Sequence, residues 1–403
     1  MNKLRILFLL AISFVNFAAF SQIKILFDNT KAEQAGNADW VISNSSSPVR
    51  VPTPAQSGIT SSTAETYWSG ALSAWGVDCV KQGYYVETLP ASGSITYGST
   101  GNAQDLSNYN VFIVCEPNIQ FTVTEKTALM NFVKNGGGLF MVSDHTVSDR
   151  NNDGWDSPAI WNDFLTTNSV NSNNPFGISF DLANISQTST NVATVANDSI
   201  LHGKMGTAIK AMWSNGTTMT IDKTKNSTVQ AYLYTTGSST TGSTNVMFAT
   251  AKYGNGKVAA IGDSSPCDDG TGGSGNTLYN GYTGDVGVNH EYLLMNATIW
   301  LASHAPKVVS AVKVIEENTL EVEIFPNPVK DGRLTIKYST NKHAPLSAQI
   351  LDLTGKTVRT FELAYNDGLQ CKSFDVSNLS PGVYLCRVSG KNETIESNLV
   401  IIH

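Results

Sequence analysis

Apolar and polar positions follow two rhythms along this chain. Up to about residue 302, short continuous apolar runs alternate with stretches of helical spacing; beyond about residue 320 the apolar positions recur at every second residue. Ile23 to Phe27 forms an apolar run that ends in Asp28. Between Glu65 and Gln82, the residues Trp68, Ala71, Leu72, Trp75 and Val80 fall on one helix face, and Gly83 closes it. Tyr84 to Leu89 reads as a strand, and Asn110 to Glu116 as a strand apolar enough to be buried on both faces. Thr122 and Glu125 have the spacing of a capping box, which opens a helix carrying Ala128, Leu129, Phe132 and Val133. Gly136, Gly137 and Gly138 end that helix before a strand over Leu139 to Val142. Strand, helix and strand in quick succession imply a right-handed parallel crossover.

The next part is richer in strands. Val229 to Tyr234 and Asn245 to Tyr253 flank a Thr-Gly-Ser-Ser-Thr-Thr-Gly loop, Lys257 to Gly262 is a buried run, and a helix is expected from about His290 to Ala302. The period is lost over residues 303–319, interrupted by Pro306, which reads as a linker. In the tail, Leu334, Ile336 and Tyr338 alternate with polar residues. Ala348 to Lys356 gives a strand and a turn at Gly355, with a return through Val358 and Phe361. A last hairpin is expected with Asn378 to Gly382 at its turn. The pattern predicts an α/β domain over residues 22–302 with a mostly parallel sheet and helices on both faces, followed by a small all-β sandwich over residues 320–403.

The extreme N-terminus stands apart. Lys3 and Arg5 precede an apolar run from Ile6 to Phe20, and Ala19-Phe20-Ser21 suits a signal peptidase, so residues 1–21 read as a signal peptide. No later segment approaches the roughly 20 apolar residues of a bilayer helix, so a soluble mature chain is expected. The formal net charge is −7 and no basic stripe is visible, which argues against a nucleic-acid partner. Five cysteines, odd in number and widely spaced, do not make a disulfide framework.

In a parallel sheet, ligands gather beyond the carboxyl ends of the strands. Acids stand there: Asp28, Glu116, Asp144 and Asp263 each follow an apolar run, with Asp268 and Asp269 just beyond. Several carboxylates at one rim repel unless cations or protons intervene. A divalent cation, calcium by preference, is therefore the expected cofactor. The loop after His145 supports it: Asp149, Asn151, Asp153 and Asp156 place oxygens at alternate positions around Gly154. Its twelfth position is Ile160, so it is not an EF-hand, and an Asx-rich turn explains the same residues. Asp144, His145 and Asp263 are the candidate catalytic residues, with Asp28, Glu116, Asp268, Asp269 and His290 in support. His290 with Glu291 reads equally as a helix opening. Ser264 and Ser265 follow a strand without a Gly-x-Ser-x-Gly elbow.

Two resemblances add to these readings. FPNPV at 325–329, DLTGK at 352–356 and LSPGVYLCRV at 379–388 together resemble the C-terminal sorting domain of the type IX secretion system. That implies passage through the periplasm to the medium or the outer cell surface, with the type IX machinery as partner. GGGLFMVSDH at 136–145 and GKVAAIGDSSP at 256–266 resemble the class I glutamine-amidotransferase-like group, which implies a flavodoxin-like fold over residues 23–302. Where that group carries its nucleophilic cysteine this chain has Ser143-Asp144-His145, so amidotransferase chemistry is not implied. Two functions follow: a divalent-metal-dependent hydrolase of an extracellular polymer or ester, or a non-catalytic module binding carbohydrate or protein at the same rim through Trp40, Trp155 and Trp161 with a structural calcium.

Overall fold

The computed structural model describes residues 22–43, 49–272, 279–285, 287–303, 321–339, 346–352, 354–363, 370–390 and 394–402. The expected signal peptide, residues 1–21, and nearly all of the expected linker, residues 303–319, lie outside these residues. The chain divides into two compact units, residues 1–307 and 308–403.

In the first unit, β1 (Lys24–Asp28), β2 (Tyr85–Leu89), β3 (Val111–Cys115) and β4 (Gly138–Val142) are parallel, in the order β2-β1-β3-β4. Four helices accompany the sheet: α1 (Ser73–Lys81), α2 (Val123–Lys134), α3 (Ser157–Thr167) and α4 (His290–Ala302). Successive side chains of a strand point to opposite faces, and the core divides accordingly. Ile25, Phe27 and Phe140 pack with Trp75 of α1 and Leu294 of α4, whereas Leu26, Phe112 and Met141 pack with Leu129 of α2 and Trp161 of α3. Trp75 sits edge-on between Phe27 and Phe140, with ring centroids 5.6 and 5.0 Å away. The capping box forms: Glu125 N–H donates to Thr122 Oγ1 at 3.3 Å, and Thr122 N–H donates to Glu125 Oε2 at 2.8 Å.

Residues 178–261 depart from expectation. They form β5 (Ile178–Phe180), β6 (Ile185–Ser189), β7 (Ala211–Gly216), β8 (Met219–Ile221), β9 (Gln230–Tyr234), β10 (Val246–Tyr253) and β11 (Gly256–Ile261). Of these, only β11 joins the first four through a parallel pairing, beside β4; β10 pairs antiparallel with β11, then β8 with β10 and β5 with β8. β9 pairs antiparallel with β10, and β6 with β7 as a separate ribbon. The protein is therefore not a helix-rich, mostly parallel flavodoxin-like fold; antiparallel pairings predominate among the described residues. Only Gly254 and Asn255 join β10 to β11, and two residues close a hairpin but cannot span a parallel crossover.

The helix expected from Glu65 to Gln82 is also shorter, since α1 begins only at Ser73. Residues 70–72 instead run beside 39–41: Ala71 N–H donates to Asp39 O at 3.0 Å and Leu72 N–H to Val41 O at 2.9 Å. A Cβ on Gly70 would stand 2.1 Å from Val41 O, so only glycine permits this approach.

The second unit is all-β. One sheet holds β12 (Glu321–Phe325), β13 (Arg333–Ser339) and β16 (Gln370–Asp375); the other holds β14 (Leu346–Leu351), β15 (Thr357–Leu363), β17 (Gly382–Ser389) and β18 (Thr394–Ile401). Leu334, Ile336 and Tyr338 meet Ala348, Ile350 and Val388 in a core of their own. The segment 378–382 is not a hairpin turn: it passes from β16 in one sheet to β17 in the other, and the last hairpin joins β17 to β18.

Candidate functional site

β1, β3, β4 and β11 run parallel, with Cys115 opposite Val142 and Val142 opposite Ile261. Asp28, Glu116, Asp144 and Asp263 consequently emerge along one edge of the sheet. Beyond β3, β4 and β11 lies a cleft of about 260 Å³, whose walls include Asn37, Trp40, Asp144, His145, Arg150 and Ser265.

Glu116 is the anchor beneath it. It is fully buried and has a left-handed backbone, φ +48°, a conformation that costs an ordinary residue of order 1 kcal/mol and persists only when its surroundings enforce it. Five donors do so. Oε2 accepts from Trp40 Nε1 at 2.7 Å, Ser264 Oγ at 3.0 Å and Arg150 Nη2 at 3.2 Å. Oε1 accepts from Ser148 Oγ at 2.7 Å and from Arg150 Nε. Arg150 Nη2 also reaches Asp144 Oδ2 at 3.3 Å, and Nη1 donates to Asn37 Oδ1 at 2.7 Å.

Asp144 and Asp263 complete the cluster. Burial, with the charges of Glu116 and Asp263, raises the Asp144 carboxyl well above its usual range against the opposing pull of Arg150. Burial pushes Asp263 up to about 7, although its oxygens accept from Ser265 N–H at 2.8 Å and Ser214 N–H at 2.6 Å. Burial thus favours the protonated forms of Asp144 and Asp263 beside the Glu116–Arg150 pair. His145 stands at the rim, half-buried, with Nδ1 2.7 Å from Thr146 O and Asn184 Nδ2 at 3.1 Å. The nearby serines face acceptors other than imidazole: Ser148 and Ser264 donate to Glu116, and Ser265 to Ser214 O.

Other expected members lie elsewhere or have local partners. Asp28 accepts from Thr30 and is raised to about 6 by burial, and it pairs with buried Glu33 rather than with the cleft. Asp268 accepts from Gly270 N–H and Tyr279 N–H, and Asp269 from Ala74 N–H and Thr271, which ties loops together. His290 is buried, bonding to Gly281 O through Nδ1 and accepting from Met212 N–H at Nε2, and burial lowers its pKa.

The carboxylates of the 149–156 loop serve the backbone. Asp149 accepts from Asp153 and Gly154 N–H, and Asp153 from Trp155 N–H and Asn151 Nδ2. Asp156 caps α3 through Ala159 N–H and also accepts from Val147 N–H. Among the described residues no group of three or more His, Cys, Asp or Glu side chains is placed to hold a metal ion. Trp161 is buried in the core, and its Nε1 donates to Val142 O, so the expected tryptophan platform does not form.

Sequence reasoning passed over Arg150, Ser148, Asn37 and Glu33. A signal for the first was present: Arg50 and Arg150 are the only arginines between residues 22 and 302. Each grips a buried glutamate, Glu87 and Glu116.

Comparison with known proteins bears mainly on the tail. No curated protein matches the chain. A solved structure described as "mmIFT52 N-terminal domain" is similar at 14% identity, covering 69% of this chain and 97% of that one, with a TM-score of 0.41. A likeness at that level carries no argument, and the expected kinship of residues 23–302 with the amidotransferase-like group finds no support. No helix among the described residues is long and apolar enough to cross a membrane. Residues 323–402 match the secretion system C-terminal sorting domain, and this tail engages the type IX machinery for export to the cell surface or the extracellular space.

Proposed function

We propose that the body of this exported protein is a recognition module that holds one unit of a hydroxyl-rich extracellular polymer, a carbohydrate, in the cleft above Glu116. The observation that carries the reading is the lining. Asn37, Asp144, Ser214, Asn215, Ser265 and Tyr279 converge on one cavity beside the Trp40 ring, offering acceptors and donors at short range. At about 260 Å³ the cleft is smaller than the roughly 300–1,000 Å³ of sites that enclose whole small molecules, which suits one unit of a longer chain. The floor is rigid because Glu116 and Arg150 lock one another, and a preorganised floor lowers the ordering cost of binding.

A second reading has one observation in its favour. Burial raises the Asp144 carboxyl well above its usual range, the direction a general acid requires, so the same cleft could cleave the unit it binds. Calorimetric titration of the mature protein with a panel of soluble oligosaccharides tests recognition. Asn37→Trp, at an exposed rim position, should block binding without unfolding the protein. Binding unaffected by that variant sinks the cleft, and new reducing ends in the same samples promote the hydrolase reading.

A further inference from the structure

Resting on the reading of this cleft as a carbohydrate site, we propose that the bound unit carries a protonated amine, an amino sugar rather than a neutral one, and that its ammonium docks on Asp144 Oδ1.

Both oxygens of Glu116 are filled, by Trp40, Ser148, Ser264 and Arg150. Both oxygens of Asp263 accept backbone N–H groups. Asp144 Oδ2 accepts from Arg150 Nη2 at 3.3 Å and lies 3.0 Å from Ser148 Oγ, whose single proton it shares with Glu116 Oε1. No donor from the described residues reaches Asp144 Oδ1, whose side chain is only 4% exposed, lies against the Glu116 carboxyl and lines the cleft. An acceptor in the wall of a cavity that receives no donor from the protein is open to a donor on a ligand.

The surrounding charge selects the donor. Arg150 is the only Lys or Arg among the described lining residues, set against Asp144 in the wall and Glu116 and Asp263 behind it. The groups facing Asp144 are Glu116 from the end of β3, Asp263 from the end of β11, and Ser148 and Arg150 from the loop after β4, with His145 next in sequence. A neutral hydroxyl leaves the charge imbalance to be met by a proton on Asp144. An ammonium meets it directly: the amine arrives as –NH3+, Asp144 gives up its proton to solvent, and an ion pair replaces a carboxylic acid. An ammonium needs only an acceptor at this position, whereas among the described residues no group of three or more His, Cys, Asp or Glu side chains is placed to hold a metal ion.

The test titrates the full mature chain with a glucosamine oligomer, its N-acetylated counterpart and a glucose oligomer, each in two buffers of different ionisation enthalpy. The amine oligomer is expected to bind at least about tenfold more tightly than the N-acetylated one and to release a proton, seen as a buffer-dependent heat. Asp144→Asn should erase the preference of the amine oligomer over the N-acetylated one, together with the proton release, whatever it does to the affinity for the glucose oligomer. Equal or tighter binding of the N-acetylated or glucose oligomer, or amine binding without proton release, overturns the inference and leaves the carbohydrate reading standing. No binding of any of the three overturns both. The comparison of amine with acetylated ligand is made on the unaltered protein, so it does not depend on the variant's folding.

Discussion

Arg150 holds both oxygens of Glu116 through Nε and Nη2, the latter 3.2 Å from Oε2, and so ties the loop after β4 to the end of β3. The glutamate is wholly buried and the arginine mostly so, so neither charge is well solvated without the other. Arg150→Met should therefore cost about 3–5 kcal/mol, because it strands a buried carboxylate. Adding Glu116→Gln should restore a large part of the loss. Urea unfolding of the single and double variants measures both, and a single-variant cost below about 1 kcal/mol contradicts the pairing.

Much of this was legible in the sequence. The alternating positions Leu334, Ile336 and Tyr338 gave the tail, the Thr122/Glu125 spacing gave the start of α2, and the apolar runs before Asp28, Glu116, Asp144 and Asp263 placed these acids at one edge. What failed was non-local. Gly254-Asn255 between two apolar runs signals a hairpin, yet the runs alone suggested buried parallel strands, since periodicity does not encode strand direction. For the acids of the 149–156 loop the residues alone leave two readings open, because carboxylates that cap backbone amides, as these do, and carboxylates that hold calcium share the same residue types and spacing. Arg150 went unread because a single arginine has no period, and its partner lies 34 residues away.

The 149–156 loop yields its own expectation. Asp156→Ala removes the cap of α3 and orphans Val147 N–H, so it should lower stability by about 1–2 kcal/mol. The loss should be the same in calcium and in chelator. If instead calcium raises the melting point of the unaltered protein in proportion to its logarithmic concentration, a bound ion holds the loop.

Stability should fall as pH rises through neutrality. Burial raises Asp28 to about 6, and Asp263 and Asp268 to about 7, above the values near 4 of an unfolded chain. Between those limits the folded state binds more protons than the unfolded one. The stabilisation is complete below about pH 4 and is lost as pH climbs through about 6 to 7. Urea unfolding near pH 5 and pH 8 should differ by about 2 kcal/mol or more in favour of the acidic condition. A flat or rising profile contradicts the burial assigned to these carboxyls.

The tail has its own hydrophobic core, formed by residues such as Ile336, Ile350 and Val388. A chain ending after Ser303 should unfold with a midpoint close to that of the body in the full protein, while failing to leave the periplasm. Secretion of the shortened chain would detach export from residues 323–402.

The cleft over Glu116 is the surface proposed to meet the ligand. The most direct measurement follows the indole N–H resonance of Trp40, whose donor to Glu116 Oε2 makes it a reporter of the cleft floor, during titration with the tightest-binding oligosaccharide. Saturable shifts of the Trp40 signal, with the core residue Trp161 unmoved, are the predicted result. Binding that leaves Trp40 unchanged and instead perturbs a different surface, such as the groove between residues 94–97 and α2, would contradict it.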